Sequence, residues 1–397
     1  MPIADNEQLP FSESEELFHA LAVQAAGCDD FGEPSYLNGL RVSLRALDRE
    51  AKLHEAGRRA VRATLVEVLA ERLRSEHRLK THPESAHLQI RRPIFITGCV
   101  RTAGTALHYL MGADPALQAL PAWLSAKPQP RPPRETWERH PDFRAVQAGL
   151  DLYHAADPRL QAMHFRAAAW PDECGPMLRQ NFTDDYLEVV ATVPSYEDWY
   201  HHTRHPQTYR RHRQLVQLIG STQPERRWLF KYAVHLRELD TLLDVYPDAC
   251  IVYTHRDPCA VISSYTAMVS TYRGLSERDI DPRAIARSQV IGWAEASNRA
   301  LAIRDRHDPA QFFDLYYDEF LADPVESVKR IYAHFGQPLS AESEAALLRH
   351  HAANPQHKHG KHTHSLEITG YTEREVLDAF GPYMARYYPP GLQRARA

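Results

Sequence analysis

The chain lacks the features that mark several large classes of protein. Its 397 residues carry a formal net charge of only −4, whereas a nucleic-acid-binding protein needs a strongly basic face. The five cysteines are odd in number and show no C-x-x-C spacing, which argues against a zinc site or a disulfide framework. No apolar run could cross a bilayer, and residues 1–16 lack a secretory pattern. We therefore expect a cytoplasmic protein without a transmembrane segment that binds no nucleic acid.

Residues 93–111 contain the most informative pattern. A short apolar run breaks at Gly98 into a loop of small, hydroxylated and basic residues, after which apolar residues recur at helical spacing. Such a strand–loop–helix unit brings backbone N–H groups and the positive end of a helix dipole to one point, where a phosphate or sulfate could bind. The loop has no Walker lysine, because Gly104 is followed by Thr105. An ordinary strand-to-helix turn has the same pattern.

Four further apolar runs alternate with helical patterns, at residues 117–123, 227–230, 250–254 and 312–316. This alternation predicts an α/β fold with a P-loop-type parallel sheet flanked by helices. Parallel sheets bind ligands at the carboxyl ends of their strands. Lys231 and Arg256 each end a predicted strand and should therefore lie near the loop after Gly98.

The rest of the chain is largely helical in pattern. We predict a polar, partly disordered N-terminus over residues 1–34 and a layer of two helices over 35–90. The α/β domain would cover 91–397, with a helical insertion at about 140–220 and a proline-rich connector at 128–133. Aromatic residues are dense in the insertion. Such density is typical of an apolar ligand pocket, although core packing produces it more often.

Four motifs resemble the nucleotide-sulfate-dependent sulfotransferases, specifically the bacterial branch with a helical N-terminal portion. They are PIFITGCVRTAGT at 93–105, WLFK at 228–231, PDACIVYTHRDP at 247–258 and YDEFLADP at 317–324. The resemblance implies transfer of a sulfuryl group from 3′-phosphoadenosine 5′-phosphosulfate (PAPS) to a hydroxyl of a small, hydrophobic acceptor. The product would be adenosine 3′,5′-bisphosphate (PAP), and no metal would take part. The oligomeric state stays open, a homo-oligomer included.

The resemblance also implies that the donor is held at its two charged ends. The 5′-phosphosulfate would contact Arg101 and the loop residues Thr102, Ala103, Gly104 and Thr105, and the 3′-phosphate would contact Arg256 and Ser264, with further contacts from Lys358 and Lys361. The family usually has Gly and Thr where this chain has Ala103 and Gly104. One hydroxyl is therefore missing, and Ala103 avoids a strained positive φ only if the loop geometry differs.

Sulfuryl transfer requires in-line attack, stabilisation of charge on the leaving oxygen, and a base for the acceptor hydroxyl. By resemblance, Lys231 and Arg101 stabilise the leaving oxygen. His235 is the first candidate for the base, because it follows Lys231 by one helical turn and a neutral imidazole accepts protons near pH 7. Glu173 is the second candidate, since burial in the aromatic-rich segment could raise its pKa. His164 is the third.

Two alternatives to a working sulfotransferase remain open. A kinase-like phosphotransferase would keep the fold, but it needs the lysine and the magnesium-binding hydroxyl that the loop lacks. A nucleotide-binding protein with impaired catalysis is kept open by Ala103 and Gly104. The histidine-rich segment 351–364, which includes Lys358 and Lys361, fits no standard zinc spacing and is better explained as an anion-binding loop.

Overall fold

The computed structural model describes residues 9–355 and 364–389. At its centre is a five-stranded sheet in the order β2-β3-β1-β4-β5, and every neighbouring pair of strands is parallel. The strands are β1 (Ile94–Gly98), β2 (Leu117–Ala119), β3 (Arg227–Lys231), β4 (Cys250–His255) and β5 (Phe312–Tyr316). The predicted parallel sheet is confirmed, and the carboxyl ends of all five strands lie at one edge.

The central strand β1 is buried along its whole length. Helices cover both faces of the sheet, which is why its residues read as a continuous apolar run. The strand ends at Gly98, which pairs with Thr254 and has a φ of 141°. A Cβ atom at Gly98 would lie 2.4 Å from the Thr254 carbonyl oxygen, so this position requires glycine. The chain can therefore leave the sheet abruptly and enter the loop.

The N-terminal helical layer contains one helix more than predicted. Its helices are α1 (Glu15–Ala26), α2 (Tyr36–Arg49) and α3 (Glu55–Thr81). The predicted pair corresponds to α2 and α3, while α1 lies where partial disorder was expected. Phe11, Phe18 and Ala22 are buried, and α1 packs against α3. A few well-placed apolar residues thus order a segment whose average composition is polar.

The first β-α unit continues into short elements. β1 leads through the loop into α4 (Gly104–Gly112), and β2 is followed by α5 (Ala122–Ala126). The run at 117–123 is therefore a strand only to Ala119. Residues 128–133 are irregular, and the Arg131 N–H donates to the Ile219 carbonyl oxygen at 3.1 Å. This agrees with the predicted connector.

The predicted insertion between β2 and β3 is helical. It contains α6 (Pro141–Ala156), α7 (Arg159–Met163), α8 (Gly175–Arg179), α9 (Tyr186–Val190), α10 (Pro194–His202) and α11 (Pro206–Gly220). The stretch between α7 and α8 contains no helix or strand, in agreement with Pro171 in its second half, whereas the nearby Gly175 and Pro176 begin α8. This stretch carries His164 and Glu173 to the carboxyl edge of the sheet.

Helices also follow each of the last three strands. They are α12 (Leu239–Val245), α13 (Pro258–Gly274), α14 (Pro282–Arg304), α15 (Tyr317–Ala322), α16 (Pro324–Phe335), α17 (Ala341–Ala353), α18 (Glu373–Ala379) and α19 (Gly381–Tyr387). The helix expected at 234–245 begins instead as a 3₁₀ turn, Ala233–Leu236. Within residues 9–355 and 364–389, no helix combines the length and the apolar character needed to span a membrane.

Candidate active site

The loop after β1 has two non-glycine residues in the left-handed region. Arg101 has a φ of 63° and Ala103 has a φ of 65°. Ala103 is the residue that precedes the first turn of α4. The left-handed conformation costs a residue with a Cβ atom about 1–2 kcal/mol, so Ala103 does not avoid the strain that its place in the loop imposes. The backbone keeps the tight turn that aims the N-terminus of α4 at the carboxyl edge.

The two threonine hydroxyls of the loop have different surroundings. Thr102 is buried, and its Oγ1 donates to the Cys99 carbonyl oxygen at 2.9 Å and lies 2.7 Å from Thr254 Oγ1. It therefore ties the loop to β4. Thr105 is half-buried, and its Oγ1 accepts a hydrogen bond from Lys231 Nζ at 3.2 Å. Of these two hydroxyls, only that of Thr105 reaches the lysine.

Lys231 and Glu173 form an ion pair at the end of β3. The lysine side chain is 11% exposed and the glutamate side chain 26%, so both keep some contact with solvent. Burial by itself would raise the pKa of Glu173, but the Lys231 ammonium, assisted by His164, leaves that pKa below its ordinary value. The expected net rise is therefore wrong. A Cβ atom at Gly104 would lie 3.3 Å from Lys231 Cε, so the glycine leaves room for the lysine.

Arg101, Arg256 and Ser264 form the second part of the site. Arg101 Nε donates to Ser264 Oγ at 3.1 Å, and Arg256 Nη1 donates to the Arg101 carbonyl oxygen at 2.9 Å. The Arg256 guanidinium also lies 4.1 Å from the centre of the Tyr317 ring. The structure thus brings together three residues that are predicted to contact the donor. The resemblance assigns Arg101 to the 5′-phosphosulfate, yet its side chain reaches Ser264, which is assigned to the 3′-phosphate.

Burial disfavours the positive charges of the two arginines, and no carboxylate of the described residues forms an ion pair that would offset this cost. Burial lowers the pKa of Arg101, and it also lowers the pKa of Arg256. Within the described residues, neither guanidinium forms an ion pair with a carboxylate, and Arg256 Nε is buried without a hydrogen-bond partner. Half-buried cations without counter-ions favour the binding of an anion, because an anion supplies the missing charge and acceptors.

His235 does not belong to the site. Its side chain is completely buried, its Nδ1 lies 2.8 Å from the Tyr209 hydroxyl, and its ring meets Phe95 edge-on at 5.3 Å. Burial lowers the pKa of His235 well below its ordinary value. The prediction assumed an α-helix after Lys231, whereas the 3₁₀ turn directs the imidazole into the core. An acceptor hydroxyl cannot reach it there.

Of the remaining predicted residues, the structure describes His164 but not Lys358 or Lys361. His164 lies near Glu173, and burial lowers its pKa to about 4. Lys358 and Lys361 lie outside the described residues. The described chain resumes at His364, whose Nδ1 is 2.8 Å from the hydroxyl of Ser263, directly beside Ser264 in the chain. The chain thus returns next to the predicted 3′-phosphate contacts.

The groups that hold Glu173 in place could not be recognised from the sequence. Asp172 accepts a hydrogen bond from Arg166 Nε at 3.0 Å and another from the Glu173 backbone N–H at 2.8 Å. Ser125 Oγ donates to the Glu173 carbonyl oxygen at 2.7 Å. Ser125 lies 48 residues away in the chain, a separation at which no local pattern could reveal the contact.

Aromatic side chains line the region next to Glu173. The Trp170 ring lies 5.0 Å from Tyr109 and 5.3 Å from Phe165, both edge-on. The Tyr153 and Tyr272 hydroxyls are hydrogen-bonded at 2.8 Å. All five aromatic side chains are only partly buried, so part of this aromatic surface is accessible to solvent. It forms an apolar wall beside the lysine–glutamate pair.

Comparison with known proteins identifies the family. A family model described as "Sulfotransferase family" matches residues 93–341, which contain the sheet and the site. The chain belongs to the sulfotransferase family. The resemblance read from the four motifs is therefore confirmed.

Solved structures of other sulfotransferases share this fold over most of the chain. Sulfotransferase STF1 of Mycobacterium tuberculosis H37Rv is 38% identical, with a TM-score of 0.85 over 94% of this chain and 99% of that one. Sulfotransferase STF9 of Mycobacterium avium is 25% identical, with a TM-score of 0.87 over 94% and 96%. The omega-hydroxy-beta-dihydromenaquinone-9 sulfotransferase Stf3 of Mycobacterium tuberculosis is 24% identical over 313 residues, 74% of each chain.

The candidate site is built from arginine, lysine and carboxylate groups. Among residues 9–355 and 364–389, no group of three or more His, Cys, Asp or Glu side chains is arranged to hold a metal ion. The predicted site cations that the structure describes are the side chains of Arg101, Lys231 and Arg256. Lys231 stands between the loop and Glu173, where it can contact groups on either side.

Proposed function

We propose that the protein transfers a sulfuryl group from PAPS to a hydroxyl of a small, hydrophobic acceptor. The observation that carries the proposal is the pair of half-buried guanidiniums, Arg101 and Arg256, which lack a carboxylate partner within the described residues and meet beside Ser264. A nucleotide with phosphate groups at two ends matches such a site. The family resemblance assigns the 3′-phosphate to Arg256 and Ser264, and the 5′-phosphosulfate to Arg101 and the 102–105 loop.

In the proposed reaction, the acceptor oxygen attacks sulfur, and the bond between sulfur and the 5′-phosphate oxygen breaks. The electron pair of that bond stays with the departing PAP. Lys231, with Arg101, stabilises the negative charge that develops on the leaving oxygen. The Glu173 carboxylate takes the hydroxyl proton of the acceptor. The ion pair keeps Glu173 ionised in the free protein and therefore able to accept a proton.

In the proposed reaction, Lys231 contacts Glu173 before the donor binds and the leaving oxygen of the donor afterwards. In the free protein it contacts Glu173 and Thr105. When the donor is bound, its ammonium would turn toward the leaving oxygen, which weakens its hold on Glu173. Glu173 then becomes a stronger base at the stage when the acceptor must lose its proton.

The aromatic wall supports an apolar acceptor. Trp170 and Phe165 belong to the same irregular segment as Glu173 and meet edge-on, Tyr109 packs against Trp170, and the three rings offer apolar surface to a hydrocarbon or aromatic molecule. The relative Stf3 is named as a sulfotransferase of omega-hydroxy-beta-dihydromenaquinone-9, a hydroxylated molecule. We propose an acceptor of the same general kind for this chain, with a hydroxyl on an apolar body, and a cytoplasmic location.

Binding and turnover experiments test the donor. PAP should raise the unfolding midpoint of the protein in the presence of EDTA, and PAPS should be consumed with a panel of phenols and alcohols, measured by mass spectrometry of PAP and of the sulfated product. Stabilisation that requires ATP and magnesium would contradict the proposal and support a kinase-like phosphotransferase.

One observation favours a second candidate, a nucleotide-binding protein with impaired catalysis. Ala103 holds a strained conformation and Thr102 turns its hydroxyl inward, so the loop offers fewer donor contacts than the family pattern. This candidate predicts PAP binding without sulfuryl transfer to any acceptor. The same acceptor panel distinguishes the two, since a working site converts PAPS to PAP and a sulfated product, whereas an impaired one binds PAP and leaves PAPS intact.

A further inference from the structure

We propose that Asp185 is a specificity residue that binds a cationic group, an ammonium above all, on the acceptor. The inference rests on the proposed function, because it takes the acceptor to bind beside Glu173. It follows from the juxtaposition of Asp185, Tyr232 and Glu173 at the carboxyl edge of β3.

Tyr232 connects Asp185 to the reacting groups. It follows Lys231 directly in the chain, and its hydroxyl donates a hydrogen bond to Asp185 Oδ1. A Cβ atom at Gly175, two residues after Glu173, would lie 3.2 Å from that hydroxyl oxygen. The tyrosine is buried and packs beneath Gly175, so its position is fixed. Asp185 is therefore held at a defined place next to the segment that carries Glu173.

Asp185 differs from the acidic residues around it in having no cation. Glu173 pairs with Lys231, Asp184 accepts from Arg179 Nε at 2.7 Å, and Glu188 pairs with Arg237 at 2.8 Å. Within the described part of the chain, no lysine, arginine or histidine forms an ion pair with Asp185. A half-buried carboxylate in this position offers a ready partner for a cation that arrives with a ligand.

The carboxyl group of Asp185 has no evident structural task. It precedes α9, but its side chain makes no capping hydrogen bond to that helix. Only Oδ1 has a hydrogen-bond donor among the described residues, and Oδ2 is not sealed from solvent. A purely structural aspartate at this position would be expected to cap the helix or to pair with a basic side chain.

The charged surroundings make the binding depend on pH. Burial and the neighbouring Asp184 raise the pKa of Asp185 to about 7, and Glu173 and Glu188 add to the rise, whereas the Tyr232 hydrogen bond opposes it. The group is therefore largely ionised at pH 8 and largely protonated at pH 6. A bound ammonium stabilises the ionised form, so a cationic ligand should gain affinity as the pH rises through this range.

Three matched phenols test the inference: tyramine, 4-propylphenol and 3-(4-hydroxyphenyl)propionate, which end in an ammonium, a methyl and a carboxylate. Calorimetry with the full chain and PAP at pH 8 should show tyramine binding about tenfold more tightly than 4-propylphenol, with the carboxylate weakest. The advantage of tyramine should shrink at pH 6. Asp185→Asn should bring the tyramine to propylphenol ratio close to one.

Two further variants complete the design. Asp198→Asn makes the same change of charge at a side chain that is 80% exposed, and it should leave the ratio as in the unmodified chain. Tyr232→Phe keeps the carboxylate but removes the hydroxyl that orients it, so the ratio should fall part of the way. This variant and the pH dependence of the unmodified chain decide the question if Asp185→Asn does not fold.

Equal affinities for tyramine and 4-propylphenol would overturn the inference, as would a tyramine preference that survives Asp185→Asn, or no binding of any of the three phenols. Failure of PAP to bind is a different result and contradicts the proposed function. The phenol comparison can then be made on the protein alone, so the two failures remain distinct.

Discussion

Replacing Glu173 by glutamine should change nucleotide binding and turnover in opposite directions. In the free protein, the Glu173 carboxylate holds Lys231 and places a negative charge beside the proposed donor site. Glutamine keeps the size of the side chain but removes that charge. Lys231 is then free to face the 5′-phosphate of PAP, while the acceptor hydroxyl loses its base.

The expected size of the binding effect is worked out for an assumed separation of about 8 Å between the carboxylate and the 5′-phosphate. Two unit charges at about that distance repel by about 2 kcal/mol at an effective dielectric constant of about 20. Because the glutamate side chain is 26% exposed and salt screens it, we expect about half of this energy, or roughly 1 kcal/mol, to remain. Glu173→Gln should therefore bind PAP about fivefold more tightly. Loss of a general base lowers turnover by about 10²–10⁴-fold, so sulfuryl transfer should fall by at least about 100-fold.

Calorimetric titration with PAP and an assay of sulfuryl transfer to phenols measure the two effects. Glu225→Gln, at an exposed glutamate, is the matched control and should change neither. Lys231→Ala should weaken PAP binding, and the double variant should recover part of the loss, because the unpaired Glu173 no longer repels the phosphate. Weaker PAP binding by Glu173→Gln, or an unchanged transfer rate, would refute the reasoning.

Three other variants or conditions test the remaining parts of the site. Arg256→Ala should weaken PAP binding at least about tenfold in calorimetry, since it removes one of two guanidiniums that form no ion pair with a carboxylate of residues 9–355 or 364–389; unchanged affinity would contradict the assignment. Ala103→Gly should stabilise the protein by about 0.5–1 kcal/mol in denaturant unfolding, because glycine adopts the positive φ without strain; a loss of stability would count against the loop geometry. The Lys231 ammonium keeps the Glu173 pKa low, so the base stays ionised as the pH falls, and the acid limb of kcat/KM for the donor should lie below pH 4.5. A limb near 6.5 that disappears in His235→Phe would restore histidine as the base.

The sheet and the positions of the cations at its strand ends could be predicted because their signals are local. A strand buried on both faces is apolar throughout, and the residue that follows it lies at the carboxyl edge by the rule of parallel sheets. Lys231 and Arg256 were placed in this way, and the structure brings Arg256 to Arg101 although 155 residues separate them. Their positions depend only on where each strand ends, not on the path of the chain between strands.

The ranking of the candidate bases and the partners of Glu173 could not be predicted in the same way. The choice of His235 depended on helix type, and a change from α-helix to 3₁₀ turn rotates the side chain away from Lys231. The Lys231–Glu173 pair joins positions 58 residues apart through an irregular segment, so no spacing rule applies. The sign of the Glu173 pKa shift depends on that pair and was therefore wrong when burial alone was considered.

The unusual loop residues are better understood together than singly. In the sequence alone, Gly104 stands where the family usually has threonine. The missing hydroxyl suggests a lower affinity for the donor. In the structure, a Cβ atom at position 104 would lie 3.3 Å from Lys231 Cε, so a larger residue would press on the lysine that contacts Thr105 and Glu173. Gly104 therefore allows the lysine to lie between the loop and the carboxylate. In the proposed reaction, the loop lacks one threonine contact to the donor, but Lys231 has room to move between Glu173 and the leaving oxygen. This room favours an altered but working site over an impaired one.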